Sequence, residues 1–170
     1  MSEYKLSDPP DFARAERAAN ELVKKLGYFD PPVDARRIAR DLGLDVKFAT
    51  FEGANSDIAG FIDLENHAIF VNRDESPERQ NFTIAHEMGH KVLHEEYARS
   101  ENYTVLLRSQ FGESKDRCER EADSFAANLL VPRFMLNRYR KFASKEELAD
   151  LFLVSQQVIA TRLTYYRDFA

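Results

Sequence analysis

The sequence predicts an α+β fold in which a small antiparallel or mixed sheet of three strands packs on helices. Three observations predict this fold. Apolar residues recur at helical spacing on both sides of residues 46–72, three short segments within that range have the pattern of strands, and the residues between the last two segments suit a hairpin turn. With 170 residues the chain can bury a core of its own. We divide it into an N-terminal lead-in and helix at 1–30, a core at 31–132, and a C-terminal helical segment at 133–170 that packs on the core.

The N-terminal third reads as two helices. Residues 11–26 place an apolar face at helical spacing, with Asp11 as the N-cap and Gly27 at the end. A second helix is predicted at 34–42, closed by Gly43.

The strands come next. Val46 and Phe48 alternate with polar neighbours, and the segments 58–63 and 67–72 flank Leu64-Glu65-Asn66, which suits a hairpin.

Two long helices follow the strands. Ser76 and Pro77 are good N-cap and first-turn residues for a helix at 77–96. Another helix is predicted from Asp116 to Val131, stopped by Pro132. Beyond it, Ser144 and Glu147 form a capping box, and Ser155 is predicted to cap a last helix that ends near Tyr166.

The net charge, the cysteine content and the first residues of the chain argue against some classes of function and location. The net charge of −5 argues against charge-driven nucleic-acid binding by the chain as a whole. The single cysteine, Cys118, fits a reducing compartment, and residues 1–6 lack the basic and apolar pattern of a secretory signal. We therefore expect a cytoplasmic protein without a membrane span.

The chemistry-bearing pattern is His86-Glu87-Met88-Gly89-His90, an H-E-x-x-H sequence inside the predicted helix at 77–96. Residues four apart lie one turn apart on the same helix face, so both imidazoles can reach one ion. Glu87 lies at the shoulder of that face, where it can reach a water held on the ion. The pattern predicts two metal ligands and a general base.

A third ligand is predicted from Glu119-Arg120-Glu121-Ala122-Asp123, because catalytic zinc takes three protein ligands and keeps one position open. Glu119 and Asp123 share one side of the helix. We assign Glu119 to the ion and Asp123 to a hydrogen bond with the far nitrogen of one histidine. Glu121 is expected to face solvent.

Three other residues that often bind metals receive simpler interpretations. His94 lies one further turn along the helix and is expected to pack or to form a hydrogen bond rather than bind the ion. Cys118 is expected to be a buried apolar residue, and His67 a surface residue of the hairpin.

The sequence resembles the ImmA/IrrE family of metallopeptidases over roughly residues 30–166. The resemblance includes residues 33–44 and 69–72, and is most specific in the stretches 82–90 and 119–132. Family members often have Asn in place of Asp123 and Met in place of Val131. The resemblance implies a gluzincin-like core, in which a small sheet lies with an active-site helix and a glutamate-bearing helix. It also implies cleavage of helix-turn-helix repressors, which switches on mobile-element or stress-response genes.

The mechanism that these residues suggest uses one Zn²⁺, with Mn²⁺ as an alternative in the cell, held by His86, His90 and Glu119. Glu87 would take a proton from the metal-bound water and pass it to the leaving amine. The strand at 68–72, if it lies at a sheet edge, would pair with an extended substrate. The oxyanion-stabilising residue stays open among four tyrosines: Tyr97, Tyr103, Tyr165 and Tyr166. Residues 97–115 are expected to form an ordered loop or a flap.

A competing hypothesis comes from residues 147–163, which resemble a helix-turn-helix with Leu153 where Gly is common in the turn. In that case Arg162, Arg167 and Gln156-Gln157 would contact DNA, and the protein would be a metal-stabilised regulator. The alternative that we favour packs these helices on the core or against a partner. A toxin or sensor whose peptidase is held inactive by a partner is equally compatible with the sequence.

Overall fold

The computed structural model describes residues 9–101, 103, 105–107 and 116–164. Helices and strands alternate irregularly along this part of the chain, as expected for an α+β fold. Their bounds are α1 Phe12–Lys25, α2 Ala35–Asp41, β1 Asp45–Ala49, β2 Ile58–Asp63, β3 Ala68–Asn72, α3 Pro77–Leu93, α4 Glu95–Ala98, β4 Leu106–Leu107, α5 Arg117–Leu130, α6 Arg133–Tyr139, α7 Lys145–Phe152 and α8 Gln156–Thr164.

The strands form a mixed sheet in the order β1-β3-β2-β4. β1 pairs with β3 in parallel, whereas β2 is antiparallel to both β3 and β4. The three predicted strands are confirmed, and the two-residue β4 extends the sheet by one. β3 is an interior strand, so the condition under which residues 68–72 would pair with a substrate, a position at the sheet edge, is not met. The hairpin places β3 beside β2, and β1 then occupies its other side.

The predicted helix starts are confirmed by their caps. Asp11 accepts a hydrogen bond from the Arg14 amide, and Asp34 accepts one from the Arg37 amide. Ser76 caps α3, Asp116 caps α5, and the capping box opens α7. α8 is described as far as Thr164, and Tyr165 and Tyr166 lie outside the described residues.

The predicted helix at 77–96 is divided in two. α3 ends at Leu93, and His94 leaves the helical conformation with φ −138° before α4 begins at Glu95. The bend turns the His94 ring toward α5, where it meets a buried carboxylate. Of the expected loop or flap at 97–115, the structure describes the end of α4, Tyr103 and β4, while residues 108–115 lie outside the described residues.

Gly89 allows α3 and α5 to pack closely. A Cβ at this position would lie 3.1 Å from the Ala122 Cα and 3.2 Å from the Phe125 ring. Such contacts are tighter than ordinary van der Waals packing, so a larger residue would separate the helices. The glycine therefore brings the first turns of α5 against the histidine face of α3.

The C-terminal helices pack on the core. Phe152, Val154 and Ile159 are buried in the same apolar cluster as residues of α1, the sheet, α3 and α5. Leu153 takes the left-handed turn conformation at φ 53° that Gly would favour. The division into 1–30, 31–132 and 133–170 remains a prediction.

The side chain of Arg162 is not available to contact DNA. It is buried, with 3% of the residue exposed, and its Nε donates to the Val131 carbonyl oxygen at 3.1 Å. The expectation that Arg162 could touch DNA is therefore wrong, because the guanidinium satisfies a carbonyl at the end of α5. Gln156 and Gln157 are exposed, and Arg167 lies outside the described residues.

No helix in the described ranges combines the length and the apolar character needed to cross a membrane.

Candidate metal centre

Three buried side chains from α3 and α5 converge on one point. The Nε2 atoms of His86 and His90 lie 3.1 Å apart, one helical turn from each other on α3. Glu119 of α5 approaches with Oε2 at 3.1 Å from His86 Nε2 and Oε1 at 3.2 Å from His90 Nε2. All three potential ligand atoms lie within 4.8 Å of one another. These are the three residues that the sequence predicts as ligands of the ion.

The orientation of His86 is set from its far side. Its Nδ1 lies 2.8 Å from Asp123 Oδ1, one turn along α5 from Glu119. A carboxylate there accepts the Nδ1 proton and fixes the ring so that Nε2 faces Glu119. The Nδ1 of His90 has no partner among the described residues.

The convergence requires positive charge. The two Nε2 atoms and the carboxylate oxygens lie close enough for their lone pairs to repel one another. Their approach is favourable only when a proton or a cation lies between them. Burial by itself lowers the pKa of His86, but the Asp123 and Glu119 carboxylates outweigh it and raise that pKa well above its ordinary value. Burial raises the pKa of Glu119, and the two histidines outweigh it, so the net shift is downward.

A metal ion fits these donors. Two imidazole nitrogens and one carboxylate are a known ligand set of catalytic zinc, which keeps a further position for water or substrate. A cation bound at this point would supply that positive charge. The chemistry of the donor set therefore supports a metal cofactor.

Glu87 lies beside this centre and outside the group of three. Its side chain is fully buried, Oε2 accepts a hydrogen bond from the Tyr103 hydroxyl at 2.7 Å, and Oε1 has no partner among the described residues. Burial raises the pKa of Glu87 above its ordinary value, while the neighbouring histidines partly oppose that shift. A buried carboxylate of this kind is suited to taking up and releasing a proton.

Of the four tyrosines left open by the sequence, the two that the structure describes both reach the centre. The Tyr97 hydroxyl donates to Glu119 Oε1 at 3.3 Å, and the Tyr103 hydroxyl donates to Glu87 Oε2. Both contacts join elements that are distant in the sequence, so no spacing rule points to them.

Glu121 does not face solvent, contrary to the expectation. Its side chain is fully buried and accepts hydrogen bonds from the Asp11 amide, the Arg117 Nε and the His94 Nε2, at 2.8, 2.7 and 2.8 Å. The side of α5 opposite Glu119 is covered by the start of α1, which helical geometry alone could not reveal. His94 takes a hydrogen-bonding role, as expected, and is not among the three converging residues.

The remaining interpretations are confirmed. Cys118 is fully buried in the core side of α5, and His67 is exposed in the hairpin turn with φ 51°.

Replacing Glu121 with glutamine is expected to destabilise the fold by about 3 kcal/mol, because a buried carboxylate that satisfies cationic and amide donors is lost. Urea denaturation at neutral pH measures this, with the exposed Glu146→Gln as the control. A Glu121→Gln variant as stable as Glu146→Gln would contradict the structural role.

The same network predicts sensitivity to acid. Burial lowers the pKa of His94 from its ordinary 6.5 to about 4, although the Glu121 carboxylate opposes the shift. The unfolded chain then binds a proton that the folded chain rejects, so this contribution to stability is full above about pH 6.5 and is lost as the pH falls toward 4.

The known proteins that this chain resembles include metallopeptidases, in agreement with the metal-binding geometry of His86, His90 and Glu119. Residues 39–164 match the peptidase family model described as the IrrE N-terminal-like domain. The chain is 33% identical over 109 residues to the metallopeptidase ImmA of Bacillus subtilis, covering 62% of this chain and 60% of that protein. It is 35% identical over 85 residues to the radiation response metalloprotease IrrE of Deinococcus deserti, covering 50% of this chain and 29% of that protein.

Two further matches widen the comparison. An uncharacterised immunity region protein of Bacillus phage phi105 is 33% identical over 86 residues, which cover 49% of this chain and 51% of that protein. A transcriptional regulator of Mycobacterium tuberculosis shares the fold, with a TM-score of 0.65 at 17% identity over 89% of this chain and 46% of that one. The matched segments span between 29% and 60% of the curated relatives. With its domain match and its buried His-His-Glu group, the chain belongs to the IrrE N-terminal-like family of metallopeptidases.

Proposed function

We propose that this chain is a zinc-dependent endopeptidase that hydrolyses a peptide bond in a helix-turn-helix repressor and so derepresses mobile-element or stress-response genes. The observation that carries the proposal is the convergence of His86, His90 and Glu119 beside a separate buried carboxylate, Glu87. Ligands and base are then different residues, as hydrolysis by a metal-bound water requires.

In this proposal His86, His90 and Glu119 hold the ion, and Asp123 keeps His86 in the tautomer whose Nε2 can bind. Zinc is favoured because two of the three donors are imidazoles; manganese in the cell remains the alternative. When bound, zinc polarises the scissile carbonyl and lowers the pKa of its water toward 7.

Glu87 acts as the general base and then as the proton donor. It accepts the proton of the attacking water and delivers it to the amine that leaves. The burial of Glu87 supports both roles. Because burial raises the pKa of the carboxyl group, Glu87 binds the proton of the water more strongly than an exposed glutamate would and can then donate it to the amine.

The substrate class is inferred from resemblance. The relatives are named a metallopeptidase, a radiation response metalloprotease and a phage immunity region protein. Cleavage of a helix-turn-helix repressor is what the resemblance to this family implies. The repressor as partner and the cytoplasmic location remain predictions. The competing DNA-binding regulator loses support because the Arg162 guanidinium is buried.

The direct test mixes the zinc-loaded protein with the helix-turn-helix repressor encoded nearest to its gene and follows intact masses. A matched sample contains a strong chelator. We expect two fragments whose masses sum to the repressor plus one water, in the zinc-loaded sample alone. An intact repressor held in a stable complex in both samples would contradict repressor cleavage and favour a binding role.

A further inference from the structure

We propose that Tyr103 is the positioning residue for the general base: its hydroxyl holds one oxygen of Glu87 and leaves the other to receive the water proton. The inference rests on the proposed peptidase function, which provides Glu87 with its role as base. It concerns a residue between α4 and β4, outside both helices that carry the converging ligands.

The hydrogen bonds of the Tyr103 hydroxyl have a fixed direction. The backbone N–H of Ile62 donates to the hydroxyl oxygen at 2.9 Å, and the Glu87 Oε2 lies 2.7 Å away. An amide N–H can only donate, so the single hydroxyl proton is directed at the carboxylate. The sheet thus fixes the tyrosine oxygen, and the tyrosine fixes one carboxylate oxygen.

The tyrosine ring is also held in place. It meets the His90 ring edge-on, with centroids 5.5 Å apart, and the Tyr97 ring edge-on at 6.0 Å. Edge-to-face contacts of this kind are favourable and directional. The hydroxyl is therefore a rigid donor anchored to β2 and to the histidine helix.

The two oxygens of Glu87 are consequently unequal. Oε2 is occupied by Tyr103, whereas Oε1 is buried without a partner among the described residues. A buried carboxylate oxygen without a donor costs free energy unless a ligand or water meets it in the working state. This asymmetry assigns proton transfer to Oε1.

The same arrangement separates Tyr103 from Tyr97. The Tyr97 hydroxyl donates to Glu119, a residue of the proposed metal ligand set, whereas the Tyr103 hydroxyl donates to the base. Removal of each hydroxyl should therefore impair a different property. Tyr97→Phe is thus a matched control at the same centre.

For Tyr103→Phe we expect kcat for repressor cleavage to fall by about 10- to 100-fold, the usual cost of removing a hydrogen bond that orients a residue beside a metal site, with KM and zinc affinity unchanged. For Tyr97→Phe we expect zinc affinity to weaken instead. A general structural defect would lower stability, zinc binding and turnover together. A Tyr103→Phe variant with wild-type kcat, or with increased kcat, would overturn the inference.

A second readout is independent of turnover. With tyrosine labelled by ¹³C at Cζ, the Tyr103 signal of the zinc-loaded protein is assigned by its loss in Tyr103→Phe. Glu87→Gln should shift this signal, and the exposed Arg120→Gln should leave it in place. An unshifted signal in Glu87→Gln overturns the contact. A wild-type protein that cleaves no repressor while the signal does shift would overturn the proposed function and leave the contact intact.

Discussion

Replacing Glu87 with glutamine is expected to lower the rate of repressor cleavage by about 100- to 10,000-fold, the range that general acid–base catalysis contributes. Glutamine preserves the shape of the side chain and can still accept a hydrogen bond from Tyr103. It cannot accept the proton of a water molecule. Since Glu87 is not in the converging group of three, the variant should still bind one zinc ion per chain.

Two measurements are needed for this prediction: fragment formation by intact mass, and metal content after removal of free zinc. Loss of both turnover and zinc would show that Glu87 supports the metal site rather than the proton transfer. Cleavage at the wild-type rate would contradict the assignment of the base.

Glu119→Ala is expected to weaken zinc binding by roughly 100- to 1,000-fold. Structural zinc sites contribute about 10–16 kcal/mol, so one ligand in three or four contributes roughly 3–4 kcal/mol, and each 1.4 kcal/mol is tenfold. The removal also leaves His86 and His90 without their shared acceptor. Competition with a chromogenic chelator measures the affinity.

The matched control for that prediction is Arg120→Gln, the next residue of α5, whose side chain is exposed. It should bind zinc as the wild type does. Equal affinity in Glu119→Ala and Arg120→Gln would exclude Glu119 as a ligand.

Zinc binding near neutral pH should also release protons. In the metal-free protein the Asp123 and Glu119 carboxylates outweigh the effect of burial and raise the pKa of His86 well above its ordinary value, which favours the protonated imidazole. Ligation requires the neutral imidazole, so the ion displaces that proton and acidification weakens binding. Calorimetry in buffers with different ionisation enthalpies would show the release.

The spacing of the histidines made the metal group predictable. His86 and His90 lie four residues apart within a helix whose cap, Ser76, is visible in the sequence, and helical geometry then places both rings on one face. Glu119 and Asp123 obey the same rule on α5. Local geometry is sufficient for each pair because each lies within one helix, and the need of catalytic zinc for a third protein ligand is what joins Glu119 to the histidines.

Contacts between elements were not predictable in the same way. Helical geometry predicts that Glu121 faces solvent, because a single helix does not reveal that α1 covers its far side. The interior position of β3 depends on the parallel pairing with β1, which the hairpin pattern does not specify. Tyr103 reaches Glu87 only through a segment with no regular period.

The turn before α8 shows another limit of sequence patterns. Leu153 adopts a left-handed conformation in which a glycine is the usual residue. The capping box on one side and Ser155 on the other still made the helix pair predictable. The sequence does not reveal that Arg162 is buried and unable to contact DNA, because its burial follows from the packing of α8 against the end of α5.

The most direct single measurement is a crystal structure of the zinc-loaded protein with anomalous data collected on both sides of the zinc absorption edge. We predict one anomalous peak on each chain, within about 2.0–2.2 Å of His86 Nε2, His90 Nε2 and a Glu119 carboxylate oxygen. Glu87 should lie outside that shell, beside the open position. A peak held by His94 or Cys118, or zinc bound by Glu87, would contradict the assignment of ligands and base.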